Sequence, residues 1–399
     1  MNIKNIVETL LYRLKRLHNY FSNRKYVKEL LSECNHVAKL SKEQKAQVQR
    51  YYKRVYGKKL PDFLWHEYYY SVTGVFSEKY IPNYIIEELQ SWMYNYHLTQ
   101  AYDDKNLYYV LFPETCQPKA FLQRINGFYY LEGKSVIESE ALTSVYELGE
   151  AIIKPTFCSN SGRGVKKINL HGGIEQRLHI SVKELVDSYK GDFVIQECIK
   201  QHPKLSDLCS TSVNSIRVLS WRKDTEPIIV YALMRMGKQG SEIDNTTAGG
   251  LVCRIRDNGF LDKYAYSSHP TQRVEDNGSG LVFENYQVPC FDKIIRKAKE
   301  LHLLMPHFEM IGWDFTVNEN SDVVFIEMNA PFGYVLHQIA AGPGFGNLTD
   351  EIIQTYINPD FMINTKSSSN AKIAPPHFCQ QSKKVDLTKP RDSISKLQL

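Results

Sequence analysis

At about Asn106 the hydrophobic period of the chain changes, and that change restricts the available folds more than any other feature. Before it, apolar residues recur at steps of three and four, as on one face of a helix. Met1, Ile3, Ile6, Val7, Leu10, Leu11, Leu14, Leu17 and Phe21 form such a stripe, with Lys4, Arg13, Lys15, Arg16, Arg24 and Lys25 over much of the remaining circumference. Residues 26–100 keep a helical pattern, with Ser41 ahead of Glu43 and Gln44 as a helix start and Pro61 and Pro82 as breaks. Beyond the change, short β-rich runs alternate with turns at 108–112, 128–131, 151–154, 165–170, 193–199, 213–221, 227–236, 251–256, 310–317 and 323–329. Only two helices interrupt them clearly, at 182–189 and 292–304. This order predicts an α+β body with mostly antiparallel strands. We therefore expect a basic helical region over 1–100, a catalytic body over 101–360 and a polar, disordered tail over 361–399.

Composition removes whole classes of function. A chain of 399 residues, 43% of them hydrophobic and 23% charged, buries a core without disulfides and is neither fibrous nor disordered. No apolar run approaches the roughly 20 residues of a spanning helix, and charges break the first 30 residues where a signal core would be, so a cytoplasmic protein is expected. The eight cysteines lack CxxC or zinc spacing and read as free thiols. Net charge is +5 but unevenly placed: residues 1–60 carry 15 Lys and Arg against 4 Asp and Glu, and the tail from Lys366 carries 7 against 2. The acidic body shows no basic stripe with interleaved aromatics, so no nucleic-acid partner is expected. For the first helix two readings stand. In the one we expect, its apolar stripe packs on the body; in the other, it lies on anionic lipid or docks a membrane partner.

Gly133-Lys134-Ser135 ends like a phosphate loop, but Phe128 stands where the first glycine would be, and neither HExxH nor GxSxG occurs. The segment from Ile311 to Ala330 is more informative. With Asn318 to Ser321 as the hairpin loop, Val317 faces Asp322, Asp314 opposes Phe325, and alternation sets Asp314, Glu327 and Asn329 on one face. Carboxylates in apolar strands cost several kcal/mol unless paired, and three oxygen donors beside open positions suit Mg²⁺. A solvated face, or ion pairs to nearby Lys or Arg, would explain the same pattern. Lys154 in Ile153-Lys154-Pro155, followed by Ser161-Gly162-Arg163-Gly164, has the make-up of a phosphate cradle or of a plain hairpin. The strand through Gln196, Glu197 and Ile199 could hold adenine at its end. Arg217 and Arg235 could clamp phosphoryl oxygens or simply lie on the surface.

In order along the chain stand Ile153-Lys154-Pro155, Gln196-Glu197 to His202-Pro203, Asn214-Ser-Ile-Arg217-Val, Asp244-Asn245-Thr-Thr-Ala-Gly249-Gly250, His269-Pro270, Ile311-Gly-Trp-Asp314 and Phe325-Ile-Glu327-Met-Asn329-Ala. From about Asp104 to Gly346 the chain thereby resembles the ATP-grasp superfamily, specifically its sugar-transfer-associated family found with bacterial polysaccharide genes. The resemblance implies two α+β lobes clamping ATP, with Lys105 and Lys154 on the phosphates and the turn at Ser161 to Gly164 closing over them. Gln196, Glu197 and Ile199 match the adenine strand, and Asp314, Glu327 and Asn329 match the Mg²⁺ ligands. Two departures are visible. Gly312 stands where many amino-acid ligases of the superfamily have an arginine, so Arg217 or Arg235 must supply that charge, and the usual acidic ribose residue is replaced near His202 and Pro203.

What the resemblance implies about activity is a carboxylate-amine ligase, ATP-dependent and ADP-forming, joining an amine or amino acid to a sugar acid or glycan precursor. A phosphotransferase acting on a sugar hydroxyl, and a non-catalytic nucleotide-binding module of a glycan assembly complex, are the alternatives.

Overall fold

The helical pattern upstream of residue 106 folds into five helices: α1 (Ile3–Ser32), α2 (Lys42–Val55), α3 (Leu64–Thr73), α4 (Asn83–Met93) and α5 (Tyr96–Tyr102). In this computed structural model the described residues run from 3 to 357, without 94–95, 113–116, 158–161, 239, 241–248, 269–271 and 331; residues 3–13, 91–92, 96–97 and 100 are described by backbone alone. The start of α2 is set as its sequence requires: the Ser41 side chain accepts from the Gln44 amide while the Gln44 side chain accepts from the Ser41 amide. Pro61 and Pro82 fall in the breaks. Where the chain was expected to turn to strand at 108–112, it makes a short helix, α6 (Tyr108–Leu111). The β preference of Tyr108, Tyr109 and Val110 yields to packing, since Tyr108 and Phe112 must both meet Phe325, at 5.3 and 5.1 Å between ring centres.

The first lobe is an antiparallel sheet. Its elements are β1 (Ala120–Ile125), β2 (Phe128–Leu131), β3 (Lys134–Val136), α7 (Glu138–Ser144), β4 (Gly149–Pro155), β5 (Lys166–His171), β6 (Ile174–Glu175), β7 (Ile180–Ser181), α8 (Val182–Asp187) and β8 (Phe193–Glu197). They pair in the order β3-β2-β1-β8-β4-β5-β6-β7, so β8 is a central strand. Leu122, Ile153, Ile168, Leu185 and Ile195 form its core beneath α7 and α8.

A short helix, α9 (Pro203–Leu208), leads into the second lobe: β9 (Ser215–Trp221), β10 (Ile228–Met236), β11 (Leu251–Ile255), β12 (Leu261–Tyr266), β13 (Arg273–Val274), α10 (Phe291–Leu303), β14 (Met310–Val317), β15 (Val323–Asn329), α11 (Val335–Ala341) and α12 (Thr349–Ile357). Its order is β13-β12-β11-β10-β9-β14-β15, again antiparallel throughout. Every residue of β9 and β14 is buried, because helices cover both faces. On one face Ser220 meets His302 of α10 at 2.6 Å; on the other Trp221 donates to Tyr356 of α12 at 2.8 Å. The helices before residue 106 do not fold around a centre of their own. Val48, Tyr52, Tyr69 and Ile85 belong to the same buried cluster as Val218, Trp313 and Ile353.

The hairpin of β14 and β15 corrects one expectation. Its loop is one residue longer than the polar run suggested, so Val317 pairs with Val323, and the ladder then slips between Phe315↔Phe325 and Asp314↔Glu327. Ile326 is the extra residue of this bulge. The slip changes the phase of alternation: Phe325 goes to the core with Phe315, while Glu327 comes out opposite Asp314.

Candidate active site

Charged side chains from both lobes meet at the inner face of that hairpin. From the first lobe comes Lys154, near the end of β4, and beside it, from the segment between α5 and α6, comes Lys105, whose segment is tied down by a bond from its amide to the Thr156 carbonyl (3.2 Å) and by Asn106 between Gln123 and Arg124. From the second come Arg217 on β9, Arg235 on β10, Asp314 on β14, and Glu327 and Asn329 on β15. The ladders fix these positions, with Arg217 directly opposite Asp314 and Asp314 directly opposite Glu327.

The two carboxylates are not lone ligands. Arg217 donates through Nε to Asp314 Oδ1 and through Nη2 to Oδ2 at 2.6 Å, Arg235 Nη1 reaches Oδ2 at 3.1 Å, and the Asn329 amide approaches the same oxygen at 3.4 Å. Lys105 Nζ lies 3.3 Å from Glu327 Oε2. Their burial is therefore offset by ion pairs, the explanation that competed with metal binding in the sequence. Among the described residues no group of three or more His, Cys, Asp or Glu gathers around a metal position. The expected donors are of another kind, two carboxylates and an amide whose oxygen is still free of the bond that its NH₂ makes. These are the hard oxygens that Mg²⁺ takes, but Asp314 can join only by sharing oxygens that the arginines already hold.

Four cations against two carboxylates leave the cluster with an excess of positive charge. Its electrostatics follow from that. Burial pushes the Lys154 ammonium down, Lys105 beside it pushes further, and Glu327 only partly resists, so its pKa falls to about 7. For Glu327, burial acts upward, but Lys105, Arg217, Arg235 and Lys154 outweigh it and bring the carboxyl down to about 2. Burial raises the Asp314 carboxyl, against the pull of Arg217 and Arg235. A buried site with surplus ammonium and guanidinium groups fits a polyphosphate anion.

Gly312 explains the position of Arg217. A Cβ on Gly312 would lie 3.3 Å from Arg217 Cδ, so the arginine from the neighbouring strand occupies the space above it. The other expected residues fall as follows. Gly162 begins the turn after β4 with φ of +74°, and Ser161 lies outside the described residues. At Gly164 only glycine serves, because φ is +77° and a Cβ would meet Pro155 Cγ at 2.8 Å. Gln196 is buried, and among the described residues its Oε1 has no hydrogen-bond partner. Its main chain and that of Glu197 are occupied in the sheet, where Gln196 pairs with Ala120 and Ile152 and the Glu197 amide donates to Lys119 O. An adenine edge would accordingly have to meet the main chain beyond the strand, at Cys198 and half-buried Ile199, rather than within it. The segments around Asp244 and His269 lie largely outside the described residues.

Sequence reasoning missed one pair. Tyr231 on β10 and His337 on α11 are bonded at 2.9 Å, on the sheet face that also bears Arg217 and Arg235, and His337 lies flat against Phe332. Burial, with both arginines nearby, lowers the His337 pKa and keeps its ring neutral. Nothing in the spacing of the two residues could have joined them.

Comparison with known proteins follows the same geometry. The profile of the sugar-transfer associated ATP-grasp family matches residues 85–354. No curated protein sequence matches. Among solved structures, the ATP-grasp ligase PsnB complexed with a minimal precursor is similar at a TM-score of 0.35 and 15% identity, over 64% of this chain and 61% of that one. The VanG D-Ala:D-Ser ligase from Enterococcus faecalis gives 0.38 and 15%, over 64% and 62%, and an L-amino acid ligase from Bacillus licheniformis gives 0.36 and 10%, over 64% and 48%. The chain thus spans about three fifths of the PsnB structure it matches.

Proposed function

The chain belongs to the sugar-transfer-associated ATP-grasp family, and on that premise we propose that it is an ATP-dependent, ADP-forming carboxylate-amine ligase. The observation that carries this reading is the meeting of Lys154 from the first lobe, and Lys105 beside it, with Arg217, Arg235, Asp314 and Glu327 from the second, a largely buried cluster with more basic groups than carboxylates. Such a cluster is unsatisfied until a multiply charged anion enters, and the phosphate chain of ATP has that charge.

In this reading the lysines hold the phosphates, and a carboxylate of the acceptor attacks the γ-phosphorus. The bond to the ADP oxygen breaks, and ADP leaves with the electron pair. Arg217 and Arg235 offset charge on the transferred group, which needs no side-chain nucleophile. An amine then attacks the acyl carbon, phosphate departs with the C–O electron pair, and the amine's proton is released. Asp314, Glu327 and Asn329 would hold Mg²⁺, which supplies charge compensation on the phosphate oxygens. Cys198 and Ile199 offer main-chain groups to the base, beside Gln196 and Glu197, and the turn from Gly162 to Gly164 covers the phosphates.

The family's name directs the choice of substrates to a sugar acid or surface-glycan precursor, with an amine or amino acid as second partner. We place the enzyme in the cytoplasm, and add to that a peripheral association of its basic first helix with the inner face of the membrane or with a glycosyltransferase there. A nucleotide-release assay against a panel of glycan precursors and amines tests the reading: ADP should form only when a carboxylate and an amine are both present for the complete product. ADP and a phosphorylated sugar without any amine would select the phosphotransferase instead, and ATP binding with no turnover on any pair would select the non-catalytic module.

A further inference from the structure

Part of the first helix's apolar stripe faces solvent. Leu14, Leu17 and Phe21, spaced by three and four, are 61%, 53% and 60% exposed, so these three do not pack on the body as expected, while the side chains of the six stripe residues before them lie outside the described residues. The helix is not free to turn them inward. Its opposite side is held by Arg16 on Tyr56 (2.6 Å) and Glu88 (3.1 Å), by Tyr20 on Asp62 (2.7 Å), and by buried Val27, Leu30 and Leu31. Three large apolar side chains in a row on a fixed helix make a prepared surface.

Charge says what the surface meets. Lys25, which also pairs with Glu29 at 3.9 Å, and Lys28 are exposed along the same side, and residues 1–60 carry +11. A second copy would bring the same charge to the same face and be repelled, whereas an anionic lipid surface supplies both the apolar layer for the leucines and phenylalanine and counter-charge for the lysines. Among the described residues no helix is long and apolar enough to cross a membrane, so the helix would lie along the surface.

We propose that the Leu14–Leu17–Phe21 face of α1 docks peripherally on an anionic bilayer, with the flanking lysines at the headgroups. This deepens the membrane placement proposed above and rests on that placement alone, not on the ligase chemistry.

The full chain is tested by co-sedimentation with vesicles of phosphatidylcholine, with and without phosphatidylglycerol. Binding is expected on the anionic vesicles, weaker as salt rises and weaker by about fivefold for each of Lys25→Gln and Lys28→Gln. The triple variant Leu14→Ser, Leu17→Ser, Phe21→Ser should lose binding while its melting temperature stays that of the parent, because those side chains support no core. Failure of the parent to bind anionic vesicles, or equal binding by the triple variant, overturns the proposal. So does a dimer in light scattering that the triple variant abolishes, which would give the face to a second copy. None of these readouts uses a substrate, so they stand or fall apart from the ligase reading.

Discussion

Arg217 holds both oxygens of Asp314 from the neighbouring strand, in the space that Gly312 leaves open. Removing one partner of a buried pair strands the other's charge, which costs about 3–5 kcal/mol. Arg235 still pairs with Asp314, so Arg217→Met should destabilise the protein by up to that amount, and adding Asp314→Leu should recover part of it. Urea unfolding of the two single variants and the double variant measures the coupling. Additive losses would show that the two side chains do not depend on each other.

Glu327 faces Lys105 at 3.3 Å and is held ionised by four surrounding cations. Glu327→Gln keeps the shape and removes the charge, so it should nearly abolish ADP formation while the far-ultraviolet spectrum stays that of the parent. Turnover at the parent rate would take Glu327 out of the proposed site.

Lys154 gives a signal that needs no acceptor. With its pKa near 7 it is largely neutral at pH 8, and a bound polyphosphate should raise that pKa and draw a proton from the buffer. Calorimetry of ATP binding in buffers of different ionisation enthalpy should therefore show uptake of up to one proton at pH 8, fading at pH 6 where the ammonium is already formed. Lys154→Met should bind ATP more weakly and take up none. Equal uptake by the variant would assign the proton elsewhere.

Three buried histidines set an acid limit on stability. Burial lowers His66 and His302 to about 4 and lowers His337 as well, while the unfolded chain titrates near the ordinary value of 6.5. Between those values the unfolded state binds more protons, so stability rises with pH. It should fall as pH drops from about 6.5 toward 4, by roughly 3 kcal/mol for each of His66 and His302 if their full shifts are realised. Urea titrations at pH 7.5, 6 and 5 check this. His302→Gln should flatten part of the slope if its ring is the neutral acceptor for Ser220, and an unchanged slope would remove His302 from the account.

The strands of the carboxylate hairpin were legible to the residue at 310–317 and 323–329, because β-rich runs there are bounded by a polar turn. Its register was not. One bulged residue, Ile326, alters the pairing without leaving a mark in composition, and alternation happened to reach the right face for Glu327 by the wrong partner for Asp314. Tyr108 to Phe112 misled through propensity, since the aromatic contacts that make it a helix come from Phe325, more than two hundred positions away. The charged cluster was named residue by residue, yet its pairing was hidden, because Lys105 and Glu327 adjoin only after two sheets have formed. The stripe on α1 shows the same boundary from the other side: spacing tells which residues share a face, not what that face touches.

Gln338 carries the architecture one step further. Its side chain accepts from the Ile81 amide (2.8 Å) and the Gly344 amide (3.1 Å) and donates to the Ile81 carbonyl (2.8 Å) and the Tyr69 hydroxyl (2.9 Å), filling every position it has. Three of those four partners come from Tyr69 of α3 and from Ile81 just before α4, and the next residue back, His337, lies near the arginines. A graft that kept the sheets and α11 but not the helical region would leave that amide with one of its four partners. Engineers who wish to trade substrates within this family should therefore move the helical region and the sheets as a single heritable piece.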